Sequence, residues 1–206
     1  MQPASGAAPV VDAYLNDLAD AAARLDRAPL TDLVDIVHAA LTRGRRVLIA
    51  GNGGSATAAT HMASDWAKAG SRYRPAPLVL ALNDNLARIT AIANDSSYEA
   101  IFADQLPGAG GPGDVLVLLS VSGGSPNLVA AARTAKAQGM TVVSALGHPG
   151  DVAAVSDVVA LLGDGDYGLA EDLHLSLTHL VVRLLNGGAP QRYRALAGAV
   201  AGGCHG

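Results

Sequence analysis

The sequence predicts an α/β fold: a doubly wound, five-stranded parallel sheet flanked by helices. Three observations predict it. Five short runs are nearly all apolar, as strands covered on both faces must be: Val47–Ala50, Pro77–Leu82, Asp114–Leu119, Met140–Leu146 and Val158–Leu162. Stretches of helical periodicity alternate with these runs. Two of the runs, the first and the third, lead into Gly/Ser-rich turns that open a helix, which is where α/β sheets bind ligands.

Bulk properties narrow the function classes. A chain of 206 residues can bury one core of this kind and is expected to form a single domain over 1–206. Half of it is apolar but only 3% is aromatic, so the core is expected to be close-packed Ala, Val and Leu. The formal charge is −4, and no basic run exceeds the Arg43–Arg46 cluster, so no nucleic-acid partner is expected. No apolar run approaches about 20 residues without a charge, so no membrane association is expected. The start lacks the basic-then-apolar order of a signal peptide, and one cysteine, Cys204, permits no internal disulfide. A cytoplasmic location follows as an expectation.

In chain order, residues 1–9 are small and Pro-containing and are expected to be disordered. Val10–Leu25 and Leu30–Arg43 have helical spacing. These two helices, spanning 10–43, precede the first strand and are expected to serve packing or oligomerisation. An α/β core over 44–190 follows. Val47–Ala50 runs into Gly51-Asn52-Gly53-Gly54-Ser55, with a helix from Ala56 and Ser55 as its cap. Pro77–Leu82 is a buried strand, and Asn83-Asp84-Asn85 caps a helix over Leu86–Ala93. Helical spacing resumes over Tyr98–Gln105 after a break at Asn94–Ser97. Asp114–Leu119, the loop Ser120–Asn127, and an Ala-rich helix over Leu128–Gln138 stopped by Gly139 come next. Two further strands precede a long apolar helix, Glu171–Leu185, and a tail over 191–206 that holds Cys204 and His205 without an assigned role.

The two turns carry the first chemical signal. Gly51–Ser55 presents backbone N–H groups at the positive end of a helix, which suits an anion or a polar ligand. It lacks the third glycine of a dinucleotide fingerprint and the Gly-Lys-Ser/Thr of a P-loop. The second turn, Ser120-Val121-Ser122-Gly123-Gly124-Ser125-Pro126-Asn127, adds three hydroxyls to glycine N–H groups at a helix start, a neutral cradle for phosphate. A capped, Ser-rich turn is the plain alternative. His61 and Asp65 lie four apart, on one helical face, and could bind one divalent ion. From spacing alone a partly exposed polar face explains them better, and His179, among Leu175, Leu177, Leu180 and Val181, reads as a core histidine.

At GNGGSA (Gly51–Ala56) with His61, TAIANDSSYE (Thr90–Glu99), SVSGGSPN (Ser120–Asn127) and EDLHLSLTHL (Glu171–Leu180), the chain resembles the sugar isomerase (SIS) domain family, and within it the phosphoheptose isomerases. The resemblance runs from the N-terminal helices to the last long helix. It implies a SIS-type, flavodoxin-like sheet, and an aldose–ketose isomerase that converts sedoheptulose 7-phosphate to D-glycero-D-manno-heptose 7-phosphate through an enediolate. It also implies zinc, and a homotetramer with active sites between subunits. Ser120, Ser122 and Ser125 would hold the phosphate. Asn52, Gly53 and Ser55 would bind the substrate, with Asp95 on the sugar. His61, Asp65, Glu171 and His179 would hold the metal, and Asp65 or Glu171 would act as base opposite His179. A non-catalytic phosphosugar-binding regulator, or an isomerase of another sugar phosphate, are the alternatives.

Two departures bear on this set. The family usually has Glu where Asp65 stands and Gln where Glu171 stands. Asp is one methylene shorter, about 1.5 Å of reach, when proton transfer needs heavy atoms within roughly 3 Å. Val121 also replaces a residue that is often Thr, removing a hydroxyl from the serine loop. Glu171 and His179 are eight residues apart, about 12 Å of helical rise. They are expected to share an ion only if Glu171 precedes the helix or if different subunits contribute.

Overall fold

The computed structural model of the chain describes residues 6–190. Five strands, β1 (Arg46–Gly51), β2 (Leu78–Ala81), β3 (Val115–Ser120), β4 (Thr141–Leu146) and β5 (Val158–Leu161), form one parallel sheet in the order β2-β1-β3-β4-β5. This is the flavodoxin-like order, and the direction of winding reverses between β1 and β3. At that switch point the loops leaving the two strands part, and a crevice opens beyond their carboxyl ends.

Period-two alternation sends successive side chains to opposite faces. Val47, Ile49, Val117 and Leu119 enter one core, whereas Leu48, Ala50, Leu116 and Leu118 enter the other. Helices α2 (Arg27–Thr42), α3 (Gly54–Gly70) and α7 (Tyr167–Leu185) cover the first face. Helices α4 (Leu86–Asp95), α5 (Pro126–Ala137) and α6 (Asp151–Val155) cover the second, with two 3-10 turns, Tyr98–Ala100 and Ala103–Gln105. Helix α1 (Ala7–Arg24) lies outermost, with Ala21 its one buried residue. It is tied to α7 where the Tyr14 hydroxyl donates to Asp172 at 2.8 Å. Arg24 adds an ion pair with Asp164 at 3.0 Å.

Several elements differ from the sequence expectation. Residues 7–9 are helical rather than disordered, because a proline is tolerated in a first helical turn, and Pro9 sits in that of α1. Helix α2 serves packing, the first of the two roles expected for it: Leu33, Val37, Ala40 and Leu41 are buried and cover the sheet. β2 is an edge strand, with Leu78 and Leu80 exposed, so Pro77–Leu82 is only half-buried. Gly53, at φ 57°, caps α3 in place of Ser55, which lies buried within the first turn. Tyr98–Gln105 forms 3-10 turns rather than an α-helix. Helix α7 starts at Tyr167, four residues before Glu171, because the Asp166 carboxylate accepts from the Leu169 N–H and caps it there. The tail from 191, with Cys204 and His205, and residues 1–5 lie outside the described residues.

Candidate active site

The loop after β1 is shaped by close approaches. A Cβ on Gly51 would stand 2.7 Å from the Ser55 carbonyl oxygen, so the strand can turn into α3 only through glycine. Asn83 braces this turn, donating to the Gly51 carbonyl at 2.8 Å and accepting from its N–H at 3.3 Å. No side chain caps α3, so its positive end faces the crevice without a resident anion from the cap position.

The loop after β3 spends its acceptors internally and keeps its donors. Ser120 Oγ accepts from Gly123 N–H at 3.0 Å, and Ser122 Oγ accepts from Gly124 N–H at 3.3 Å. Each hydroxyl therefore retains its own proton for an outside acceptor. Ser125 occupies the cap position of α5 yet makes no side-chain capping bond, which leaves its hydroxyl free as well. A third loop, after β4, supports the arrangement. Gly147 N–H donates to Ser120 O at 2.9 Å, Val152 N–H donates to Gly123 O at 2.8 Å, and Gly123 (φ 67°) lies against the His148 carbonyl.

These loops enclose a cavity of about 370 Å³ that gathers Asn52, Gly53, Ser55, Ser120, Ser122 and Ser125. Val121, Tyr167, Glu171 and Gly54 complete its wall. The sequence reading did not single out Gly54 or Tyr167. A Cβ on Gly54 would land on both carboxylate oxygens of Glu171, so the bare backbone at 54 is the seat of that side chain.

Helices α3 and α7 pack side by side, locked by buried Trp66, whose Nε1–H donates to the Thr178 carbonyl at 3.1 Å. Further along the same pair, His61, Asp65 and His179 converge. His61 Nε2 lies 3.4 Å from Asp65 Oδ2, and the two imidazoles meet edge-on with centroids 5.6 Å apart. One donor atom from each of the three falls within 4.8 Å of the others. Zinc bonds of about 2.0–2.2 Å in a tetrahedron separate donors by roughly 3.4 Å, so this His-Asp-His set fits a divalent ion with a position left for a ligand.

Glu171 is not part of that cluster. It lies within α7, eight residues and about 12 Å of rise from His179, and faces the serine cavity. Within one chain the expected four-residue metal set is thus three residues, with Glu171 at the other end of the helix pair. Asp95 closes α4, exposed, accepting from the Asn94 amide at 2.8 Å, and is not in the wall of the cavity. His174 is buried, with Nε2 3.0 Å from the Ala145 carbonyl, and belongs to the core.

Comparison with known proteins identifies the family and the fold. The SIS domain family matches residues 13–147. The phosphoheptose isomerase of Solidesulfovibrio magneticus is 34% identical over 180 residues, covering 86% of this chain and 88% of that protein. That of Burkholderia pseudomallei is 38% identical over 159 residues, covering 77% of this chain and 81% of the relative. Among solved structures, the phosphoheptose isomerase from Neisseria gonorrhoeae superposes with a TM-score of 0.78 at 26% identity, over 87% of this chain and 98% of that one. The Francisella tularensis phosphoheptose isomerase has the same fold, with a TM-score of 0.78 at 23% identity. A matching family model, a shared fold and identity above 30% over most of both chains lead to one conclusion: the chain belongs to the phosphoheptose isomerases of the SIS domain family.

Proposed function

We propose that this chain, as one SIS domain, is an aldose–ketose isomerase that interconverts sedoheptulose 7-phosphate and D-glycero-D-manno-heptose 7-phosphate. One observation carries the reading: a phosphate-type cavity and a His-Asp-His cluster stand in line on α3. Gly54 and His61 are seven residues apart, hence on one helical face and about 10.5 Å apart along the axis. An extended carbon chain advances about 1.25 Å per bond, so C1 of a heptose lies roughly 10 Å from a phosphorus on its seventh carbon. A phosphate held among Ser120, Ser122 and Ser125 at the Gly54 end of α3 would leave the C1–C2 end within reach of His61, Asp65 and His179.

Isomerisation takes a proton from one carbon and returns it to its neighbour, by way of an enediolate. In this reading Asp65 is the carboxylate that takes and returns the proton, and His179, beside it, exchanges the hydroxyl proton. Asn52 and Ser55 hold the phosphate end and Gly53 turns the backbone toward it. Asp95, outside the serine cavity at the end of α4, would contact the sugar only where the sugar extends beyond that cavity. His61, Asp65 and His179 would hold zinc, which when bound would stabilise negative charge on the substrate oxygen. Glu171 would join a metal set only across a subunit boundary. A homotetramer with active sites between subunits, working in the cytoplasm, completes the proposal. In the described residues no helix is long and apolar enough to cross a membrane.

The test is proton exchange. The metal-loaded protein is incubated with sedoheptulose 7-phosphate in heavy water and followed by NMR. Aldose formation with deuterium at C2 is expected, with both lost on chelation and restored by zinc. His61→Ala and His179→Ala should each lower bound zinc below one per chain and cut turnover at least 100-fold. Phosphosugar binding without exchange would replace the enzyme with a binding protein.

A further inference from the structure

Asn52 is held by two residues to which the reading above gives no role. Its Nδ2 donates to Asn127 Oδ1 at 3.0 Å, and Asn127 Nδ2 donates back to Asn52 Oδ1, also at 3.0 Å. The Tyr98 hydroxyl donates to the same Asn52 Oδ1 at 3.2 Å. Asn127 is buried, at the first turn of α5 behind the serine loop, whereas Tyr98 comes from the 3-10 turn on the outer side.

The inventory of donors decides what Asn52 can do. An amide oxygen accepts two hydrogen bonds, and here both are taken. An amide nitrogen donates two, and one goes to Asn127; the second has no acceptor among the described residues. Asn52 lines the serine cavity, so it meets a ligand with a single N–H and no acceptor. A sugar hydroxyl both donates and accepts and finds only half its match there. A phosphate oxygen, which only accepts, finds all of it. Two of the serines are biased the same way, since Ser120 and Ser122 accept from backbone N–H groups and keep their protons to give.

We infer that Tyr98 and Asn127 are positioning residues that lock the Asn52 amide into a donor-only state, making it part of the phosphate cradle rather than a reader of sugar hydroxyls. The inference rests on the serine cavity being the phosphate end of the substrate. It does not require the isomerase chemistry.

Tyr98→Phe removes one hydroxyl from an exposed ring and leaves the packing intact. The variant and the parent are titrated with inorganic phosphate, and their turnover of sedoheptulose 7-phosphate is measured alongside. Loss of one such hydrogen bond should raise the phosphate Kd and the KM together by roughly three- to tenfold, with kcat within twofold. In parallel, ¹⁵N side-chain spectra of the parent should show one of the two Asn52 amide protons moving on phosphate addition and the other, facing Asn127, staying in place. An unchanged phosphate Kd in Tyr98→Phe, or Asn52 amide signals that ignore phosphate, would overturn the inference. A fall in kcat with unchanged phosphate affinity would overturn it too. A protein that binds phosphate as described but never turns over the sugar would leave this inference standing and sink the isomerase reading.

Discussion

Gly54 has no side chain, and Glu171 uses the space. A glycine in the first turn of a helix ordinarily costs stability relative to alanine, by roughly 0.5–1 kcal/mol. At 54 an alanine Cβ would fall on the Glu171 carboxylate. Because a carboxylate at the end of a flexible side chain can swing away, Gly54→Ala should leave the fold intact and the thermal midpoint within about 3 °C. What it displaces is a negative charge at the edge of the serine cavity. The substitution therefore tests the seat of Glu171 without removing its charge. Moving a like charge away from a phosphate site relieves repulsion, so phosphate affinity should rise a few-fold in Gly54→Ala, and the same change made in a Glu171→Ala background should have little further effect. Equal changes in both backgrounds would mean that Gly54 acts through its own backbone and not through Glu171.

At the scale of elements, legibility followed the physics of each signal. The five strands were legible because burial on both faces leaves little freedom but an apolar run. All five form, and the three inner ones, β1, β3 and β4, are buried on both faces, whereas β5, like β2, is an edge strand, with Leu161 exposed. β2 looked alike in sequence, but its place at the sheet edge is a tertiary fact, and Leu78 and Leu80 are exposed there. The serine loop was legible from hydroxyl spacing next to a strand. Tyr98 and Asn127 were not, because their partner Asn52 is 46 and 75 residues away in sequence. The start of α7 was missed although its signal was present: Asp166 is a good cap three residues ahead of the N–H it binds. That error mattered, since it left open whether Glu171 could reach His179. Helix α1 is the other element whose meaning needs more than its own periodicity. It exposes Val10, Val11 and Leu15, and among the described residues two polar side-chain contacts, Tyr14 with Asp172 and Arg24 with Asp164, tie it to the rest of the chain. An exposed apolar stripe marks a surface on which a partner can dock. If copies of this chain cover it, Leu15→Asp should split the assembly, read as a fall in sedimentation mass with unchanged circular dichroism. Turnover should fall with it if the active sites lie between subunits.

The whole molecule is closed on one face of its sheet by α7, and that closure buries a histidine. His174 has no exposed surface; its Nε2 lies 3.0 Å from the Ala145 carbonyl on β4, and its Nδ1 has no partner among the described residues. Burial disfavours the charged ring and lowers its pKa from 6.5 to about 4, against a smaller opposing pull from the carbonyl. The unfolded chain, with an ordinary histidine, binds more protons between those two values. Stability from this group is therefore complete above about pH 6.5 and is lost as pH falls toward 4. By linkage the loss between pH 7.5 and 5 is about 2 kcal/mol, a large share of the margin of a typical domain. Urea unfolding at the two pH values should show it. A His174→Gln variant keeps a side-chain donor for Ala145 but cannot titrate, so its stability should change less by about that amount over the same interval. Because carboxylates elsewhere titrate alike in both proteins, the difference between the two curves isolates His174. An identical pH dependence in parent and variant would show that the ring already finds water or a second acceptor in the folded chain.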